Sequence, residues 1–125
     1  MAKVLVVDDS RLTRRIECSA LEAAGHECVQ ASDGEEGLTA FRKESPDCVL
    51  TDLLMPNLDG FGLIEAIRAT DERTPILVAS ADIQQSSTDR CIALGVECVL
   101  TKPLKGAQLA DAVGAAIRGQ TTTGV

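Results

Sequence analysis

Cys48-Val49-Leu50-Thr51-Asp52-Leu53-Leu54-Met55-Pro56-Asn57-Leu58-Asp59-Gly60 is the stretch whose reading decides the fold. Its apolar run is too short for a helix and delivers one carboxylate, Asp52, where a strand must end; Pro56 then blocks regular continuation. In an open parallel sheet ligands bind at the C-terminal ends of the strands, so an acid there is a candidate for chemistry. Taken by itself, Asp52 is equally well read as a solvated acid opening a turn. The other strand ends decide between these readings.

Outward from this stretch the same unit recurs. Residues 3 to 7, Lys-Val-Leu-Val-Val, are a β-branched run without alternation, the pattern of a central parallel strand covered on both faces. Asp8 and Asp9 end it. Ser10 is placed to cap a helix whose apolar positions Leu12, Ile16, Ala20 and Ala24 step by four until Gly25 stops it. Glu27 to Ala31 is a more polar second strand, expected at a sheet edge, and Ser32 with Glu35 makes a capping-box pattern for a helix through about Lys43. After the third strand, Cys48 to Asp52, a helix carries Phe61, Ile64 and Ile67 on one face, and Thr74-Pro75 closes that segment.

Ile76 to Ser80 reads as the fourth strand. The helix expected from about Ile83 to Leu94 contains Ser86, Ser87 and Thr88, poor helix formers, and should be the weakest. Glu97 to Thr101 is the fifth strand, and after Lys102-Pro103 a last helix turns Leu109, Val113 and Ile117 inward. Residues 1–118 form one domain in this reading and 119–125 a tail or linker. Strands alternating with helices require an α/β domain with a parallel sheet, because each crossover carries a helix. A barrel takes eight strands, so this five-stranded sheet is open, and the doubly wound order 2-1-3-4-5 is expected.

Composition narrows the function. The 125 residues are 45% hydrophobic and 25% charged, with two Phe and no Tyr or Trp, so the core is aliphatic. A formal net charge of -7 argues against nucleic acid as a ligand, since phosphate binding needs clustered Lys and Arg. Five cysteines, at 18, 28, 48, 91 and 98, lack paired metal-ligand spacing and read as small hydrophobes in a reducing compartment. No run approaches a membrane span or a signal peptide, which points to a cytoplasmic protein with no membrane partner.

In the expected strand order Asp8, Asp9 and Asp52 meet at one crevice, flanked by Ser80 from the fourth strand and Lys102 from the fifth. Each has an ordinary reading alone: anions before a helix N-terminus for Asp8 and Asp9, a turn former for Ser80, a solvated loop charge for Lys102. Their coincidence at four strand ends is what those readings leave unexplained. Two like charges about 4 Å apart repel by roughly 4 kcal/mol at an effective dielectric of ~20, and a hard divalent cation removes that cost. Oxygen ligands in small number, with room for water and a phosphate oxygen, suit Mg²⁺ better than zinc. Lys102 then serves as a phosphate partner, Ser80 as a hydrogen-bond donor to the same group, and Asp52 as the nucleophile forming an acyl phosphate.

At these residues the chain resembles the receiver domains of bacterial two-component response regulators, the chemotaxis receiver among them. The resemblance rests on Val-Asp-Asp-Ser at 7 to 10, Asp-Leu-Leu-Met-Pro-Asn-Leu-Asp-Gly at 52 to 60, Ala-Ser-Ala at 79 to 81 and Thr-Lys-Pro at 101 to 103. It implies a flavodoxin-like fold and a phosphorelay switch in which a sensor histidine kinase or phosphotransfer protein phosphorylates Asp52. It further implies Mg²⁺ held by Asp8, Asp9, Asp52 and the Leu54 backbone carbonyl, a sensing pair in Ser80 and Lys102, and an unidentified downstream protein meeting a surface near the fourth and fifth helices. The implied domain is no enzyme beyond its Mg²⁺-dependent self-phosphorylation and slow self-dephosphorylation. One position departs: the family's usual Tyr or Phe three residues before the lysine is Val99, which has no ring to swing inward.

The alternative reading is a small Mg²⁺-dependent phosphatase with an aspartyl-phosphate intermediate. Enzymes resembling the haloacid dehalogenases place a second acid two residues after the nucleophile, and here that residue is Leu54. A flavin carrier of similar topology would need a Ser/Thr-rich phosphate loop and aromatics that are absent. In receivers, Leu54 and Asp82 correspond to the positions flanking the path of the hydrolytic water. Leu54 cannot hold a water, so the phosphorylated state is expected to be long-lived.

Overall fold

The structure, a computed structural model, describes residues 2–81 and 84–119. Strands β1 (Lys3–Val7), β2 (Glu27–Ala31), β3 (Cys48–Thr51), β4 (Ile76–Ser80) and β5 (Cys98–Thr101) alternate with helices α1 (Arg11–Ala23), α2 (Gly34–Glu44), α3 (Gly60–Arg68), α4 (Gln85–Ala93) and α5 (Gly106–Ile117). All strand pairs are parallel and the sheet order is β2-β1-β3-β4-β5, as expected from the sequence. Register places Val7 opposite Thr51, and Ser80 opposite Thr101. The C-terminal ends of β1, β3, β4 and β5 therefore come level at one edge of the domain.

Successive strand residues point to opposite faces, and here both faces are apolar because both are covered. Val4, Val6, Leu50 and Leu77 pack with Cys18 and Leu21 of α1 and with Leu109 and Val113 of α5. Leu5, Val7, Val49, Ile76 and Val78 pack with Leu63, Ile64 and Ile67 of α3 and Cys91 of α4. Ile117 is only partly buried beside the first group. Among the described residues no helix is long and apolar enough to cross a membrane.

Three helices differ from the sequence reading. The stripe expected on α1 does not face the core: Leu12 is 68% and Ile16 58% exposed, while Glu17, Cys18 and Leu21 are buried. A strict step of four advances about 40° past a full turn each time, so such a stripe walks around the helix; a buried face alternates steps of three and four. Ser10 does cap α1, accepting from the Thr13 amide at 3.2 Å. The cap of α2 sits one residue later than expected, with Asp33 accepting from the Glu36 amide at 2.8 Å and the Glu36 carboxylate accepting from the Ser32 amide at 3.1 Å. On α3 Ile64 and Ile67 are buried as expected and Leu63 joins them, whereas Phe61 is half-buried beneath the Arg90 guanidinium, 4.2 Å from its ring centroid.

Helix α4 is thinly built. Its N-cap, Gln84, makes no side-chain cap bond and Cys91 is its one buried residue, which fits the weak helix expected there. The expected start at Ile83 lies outside the described residues, as do residues 120–125 of the expected tail. Arg68 carried no signal in the sequence. Its guanidinium donates to the carbonyls of Leu94 at 3.1 Å, Thr74 at 2.8 Å and Gly95 at 3.0 Å, tying the loop before β4 to the turn before β5.

Candidate functional site

The level strand ends bring Asp8, Asp9, Asp52 and Lys102 into one cluster, with Ser80 at the end of β4 beside the Lys102 backbone. Asp8 is 1% exposed, and its Oδ1 accepts from the Ser10 amide at 2.8 Å, so the cap of α1 also orients this carboxylate. Asp52 follows β3 directly; its amide donates to the Val7 carbonyl at 3.0 Å, which fixes it beside the end of β1. Its Oδ1 accepts from the Leu53 amide at 2.6 Å and the Leu54 amide at 3.3 Å. Carboxylate oxygens of Asp8, Asp9 and Asp52 lie within 4.8 Å of one another, with Asp9 the exposed member.

Lys102 holds two of these acids. Its Nζ donates to Asp52 Oδ2 at 2.8 Å and to Asp8 Oδ2. The Lys102 amide donates to the Ser80 carbonyl at 2.9 Å, and the bond to Pro103 is cis. Burial works to lower the pKa of the ammonium, but the hydrogen bonds and charges of Asp52 and Asp8 outweigh it, and the net shift is upward. Ser80 is buried at the end of β4.

Gly60 makes the close approach of α3 possible. A Cβ there would lie 2.1 Å from the Asp52 carbonyl oxygen, so any side chain would force α3 away from the acidic loop. Asp59 caps that helix by accepting from the Gly62 amide at 2.8 Å. The side chain of Leu54 is 69% exposed, while its amide faces Asp52. Val99 pairs with Val78 and packs partly buried on the α3 side of the sheet. Asp82 lies outside the described residues.

Glu17 is the feature that the sequence reading missed. It is 5% exposed on α1 and, with Lys102, Ile16, Pro103 and Leu104, lines a cavity of about 300 Å³ next to the site. Burial is the main cause that lifts its carboxyl to about 7; Lys102 lowers it, and Asp8 and Asp52 raise it further. A mixed step of three and four, matching Glu17 with Cys18 and Leu21, was the available signal.

Three carboxylates meet one ammonium here, and the excess of negative charge sits on hard oxygen donors. Such a donor set fits a divalent cation of the Mg²⁺ type, and the ammonium can turn to an anionic group placed on Asp52.

Residues 4–114 match the response regulator receiver domain family. Among curated proteins the chain is 38% identical over 118 residues to the ycf27 regulator of Guillardia theta, covering 93% of this chain and 45% of that protein. It is also 35% identical over 101 residues to the sensor histidine kinase RcsC of Escherichia coli, covering 81% of this chain and 11% of that protein. The chain thus spans less than half the length of each of these two relatives. Among solved structures it is similar to the chemotaxis protein CheY4 of Vibrio cholerae, with a TM-score of 0.88 and 32% identity over 93% of this chain and 98% of that one. A Francisella receiver domain gives a TM-score of 0.89 at 28% identity, covering 95% and 98%.

The position of Glu17 gives a pH dependence. Its folded pKa, about 7, lies above the ordinary 4.5, so the folded form holds the proton more tightly. That contribution to stability is fully present below pH ~4.5 and is lost as pH rises through about 7. Glu17→Gln should remove this decline and stabilise the fold by roughly 2 kcal/mol above pH ~7.5, after discounting for local relaxation. Urea midpoints of both proteins between pH ~4.5 and 8 measure it; parallel curves would mean that Glu17 does not titrate in this range.

Proposed function

The chain belongs to the response regulator receiver domain family, and on that premise we propose that Asp52 accepts a phosphoryl group from a histidine of a sensor kinase or phosphotransfer protein. The observation that carries this reading is Lys102 Nζ bridging Asp52 and Asp8, with Asp9 in the same cluster. In the reaction an Asp52 carboxylate oxygen attacks phosphorus in line with the P–N bond. The new O–P bond forms as P–N breaks, and the departing imidazole takes up a proton. As a receiver domain the chain is a signalling module, with self-phosphorylation and slow self-dephosphorylation as its chemistry.

Each residue has a part in this reading. The Leu53 and Leu54 amides hold Asp52 Oδ1, leaving Oδ2 and the ammonium on the side that the phosphoryl group enters. Lys102 then moves its charge from Asp52 to the phosphoryl oxygens, and the Ser80 hydroxyl donates to the same group. Asp8, Asp9, Asp52 and the Leu54 carbonyl are the oxygens that would hold Mg²⁺, whose charge, when bound, offsets that of the phosphoryl group. The phosphatase alternative finds at Leu54 an exposed apolar side chain in place of a general acid.

The signal leaves through Ser80 and Lys102, which stand at the ends of β4 and β5, ahead of α4 and α5. The thinly built α4 is the element whose position is easiest to shift, and a downstream protein is the reader of that face. With Val99 in place of an aromatic, the shift passes through α4 rather than through a swinging ring. Residues 1–118 form the receiver unit, working in the cytoplasm without nucleic acid or membrane contact of its own; the activity of a longer protein containing it depends on segments beyond this one.

Asp52→Asn should abolish phosphoryl uptake from acetyl phosphate in Mg²⁺ while keeping the wild-type circular dichroism spectrum, because the amide keeps the shape and removes the nucleophile. Uptake equal to wild type, read by intact mass, would place the acceptor elsewhere. A second expectation concerns lifetime, since hydrolysis needs a water in line with the O–P bond. Leu54→Asn should lose phosphate several-fold faster than wild type once donor is removed, and an unchanged or slower rate would contradict a shielding role for Leu54.

A further inference from the structure

Four of the five cysteines face the α1 and α5 side of the sheet, and two of these four touch. Cys18 is buried on α1, and Cys28 lies half-buried on β2, the edge strand. The thiol of Cys28 donates to the Cys18 backbone carbonyl oxygen at 3.8 Å, so the Cys28 sulfur lies against residue 18. We propose that Cys18 and Cys28 form an oxidisable dithiol that closes to an intrachain disulfide under hydrogen peroxide.

Geometry excludes the other pairings of Cys28. Cys28 and Cys48 both stand opposite Val4, one on each side of β1, so two strand spacings separate them. That is about 9.6 Å, beyond the roughly 4.4–6.8 Å between Cα atoms that a disulfide spans. Cys98 is on β5, at the far edge of the sheet from β2, and Cys91 lies on the opposite face. Among the described residues the Cys48 thiol bonds only to the neighbouring Val49 carbonyl, and burial pushes it up to about 12.

The neighbouring Cys28 thiol eases Cys18 toward thiolate against the opposing effect of burial, while Cys28 itself is pushed up by Cys18 and by burial. Peroxide reaches the pair past half-buried Cys28 at the sheet edge. The Cys18 thiolate attacks one peroxide oxygen, breaking O–O; the sulfur becomes a sulfenic acid, and the departing hydroxide is protonated to water. The Cys28 sulfur then attacks the sulfenic sulfur, S–S forms, and the second oxygen leaves as water with the Cys28 proton. Two thiols are oxidised and one peroxide is reduced to two waters.

The test treats the native full chain with peroxide, alkylates it in urea and maps the peptides by mass spectrometry. The expected product joins Cys18 to Cys28 with loss of two hydrogens, is reopened by dithiothreitol, and leaves Cys48, Cys91 and Cys98 alkylated. Full alkylation of both residues, their separate oxidation to sulfinic or sulfonic acids, or a bridge to another cysteine or a second chain would overturn the proposal. In Cys28→Ser the intrachain bridge should vanish and Cys18 should stop at the sulfenic acid, trapped by dimedone; a bridge from Cys18 that persists in this variant would also overturn it.

Discussion

The ammonium of Lys102, held between Asp52 and Asp8, is the interaction on which the site depends. It spans the ends of β5, β3 and β1, three strands that the chain reaches at widely separated points. Only a parallel sheet in the observed order and register brings those ends level, and only helices on both faces keep that sheet dry. The two aliphatic layers on either side of the sheet are thus what hold a charged cluster at its edge.

One lysine does not balance this cluster. Asp8 is almost fully buried, Asp9 is exposed, and Glu17 adds a fourth acid from α1, its carboxyl lifted to about 7 mainly by burial. A buried carboxyl without a full partner tends to neutralise, and Glu17 follows that rule, whereas the three strand-end acids keep hard oxygens close together. The resulting deficit of positive charge suits a divalent cation, and a phosphoryl group on Asp52 would redirect Lys102 toward itself. Tension between a lysine already paired and a newcomer that needs it is what would let the site act as a switch in the proposed reaction.

Strands were legible because their signal is local. Val4 to Val7, Cys48 to Leu50 and Ile76 to Ala79 are uninterrupted apolar runs, followed within two residues by the candidate site residues Asp8, Asp52 and Ser80, so strand order and candidate site could be read together. The face of α1 was harder: Leu12 and Ile16 are large and apolar yet exposed, and although the steps among Glu17, Cys18 and Leu21 mark a rival face, packing against β1 is what chooses it. Arg68 bonds to carbonyls across two loops, and Cys18 meets Cys28 only through the packing of α1 on β2; neither contact leaves a pattern in the chain. Asp33 displaced Ser32 as a cap because adjacent polar residues compete for one position and only the backbone path chooses between them.

Charge balance at the strand ends is open to direct measurement through the thermal midpoint with and without millimolar Mg²⁺, in wild type and in Asp9→Ala. A cation bound only by the folded form must raise the midpoint, and it must act through the acids that hold it. A rise in wild type that is lost or strongly reduced in Asp9→Ala is the predicted result. No rise in wild type, or an equal rise in both proteins, would contradict an acidic cluster built to hold a divalent cation beside Asp52.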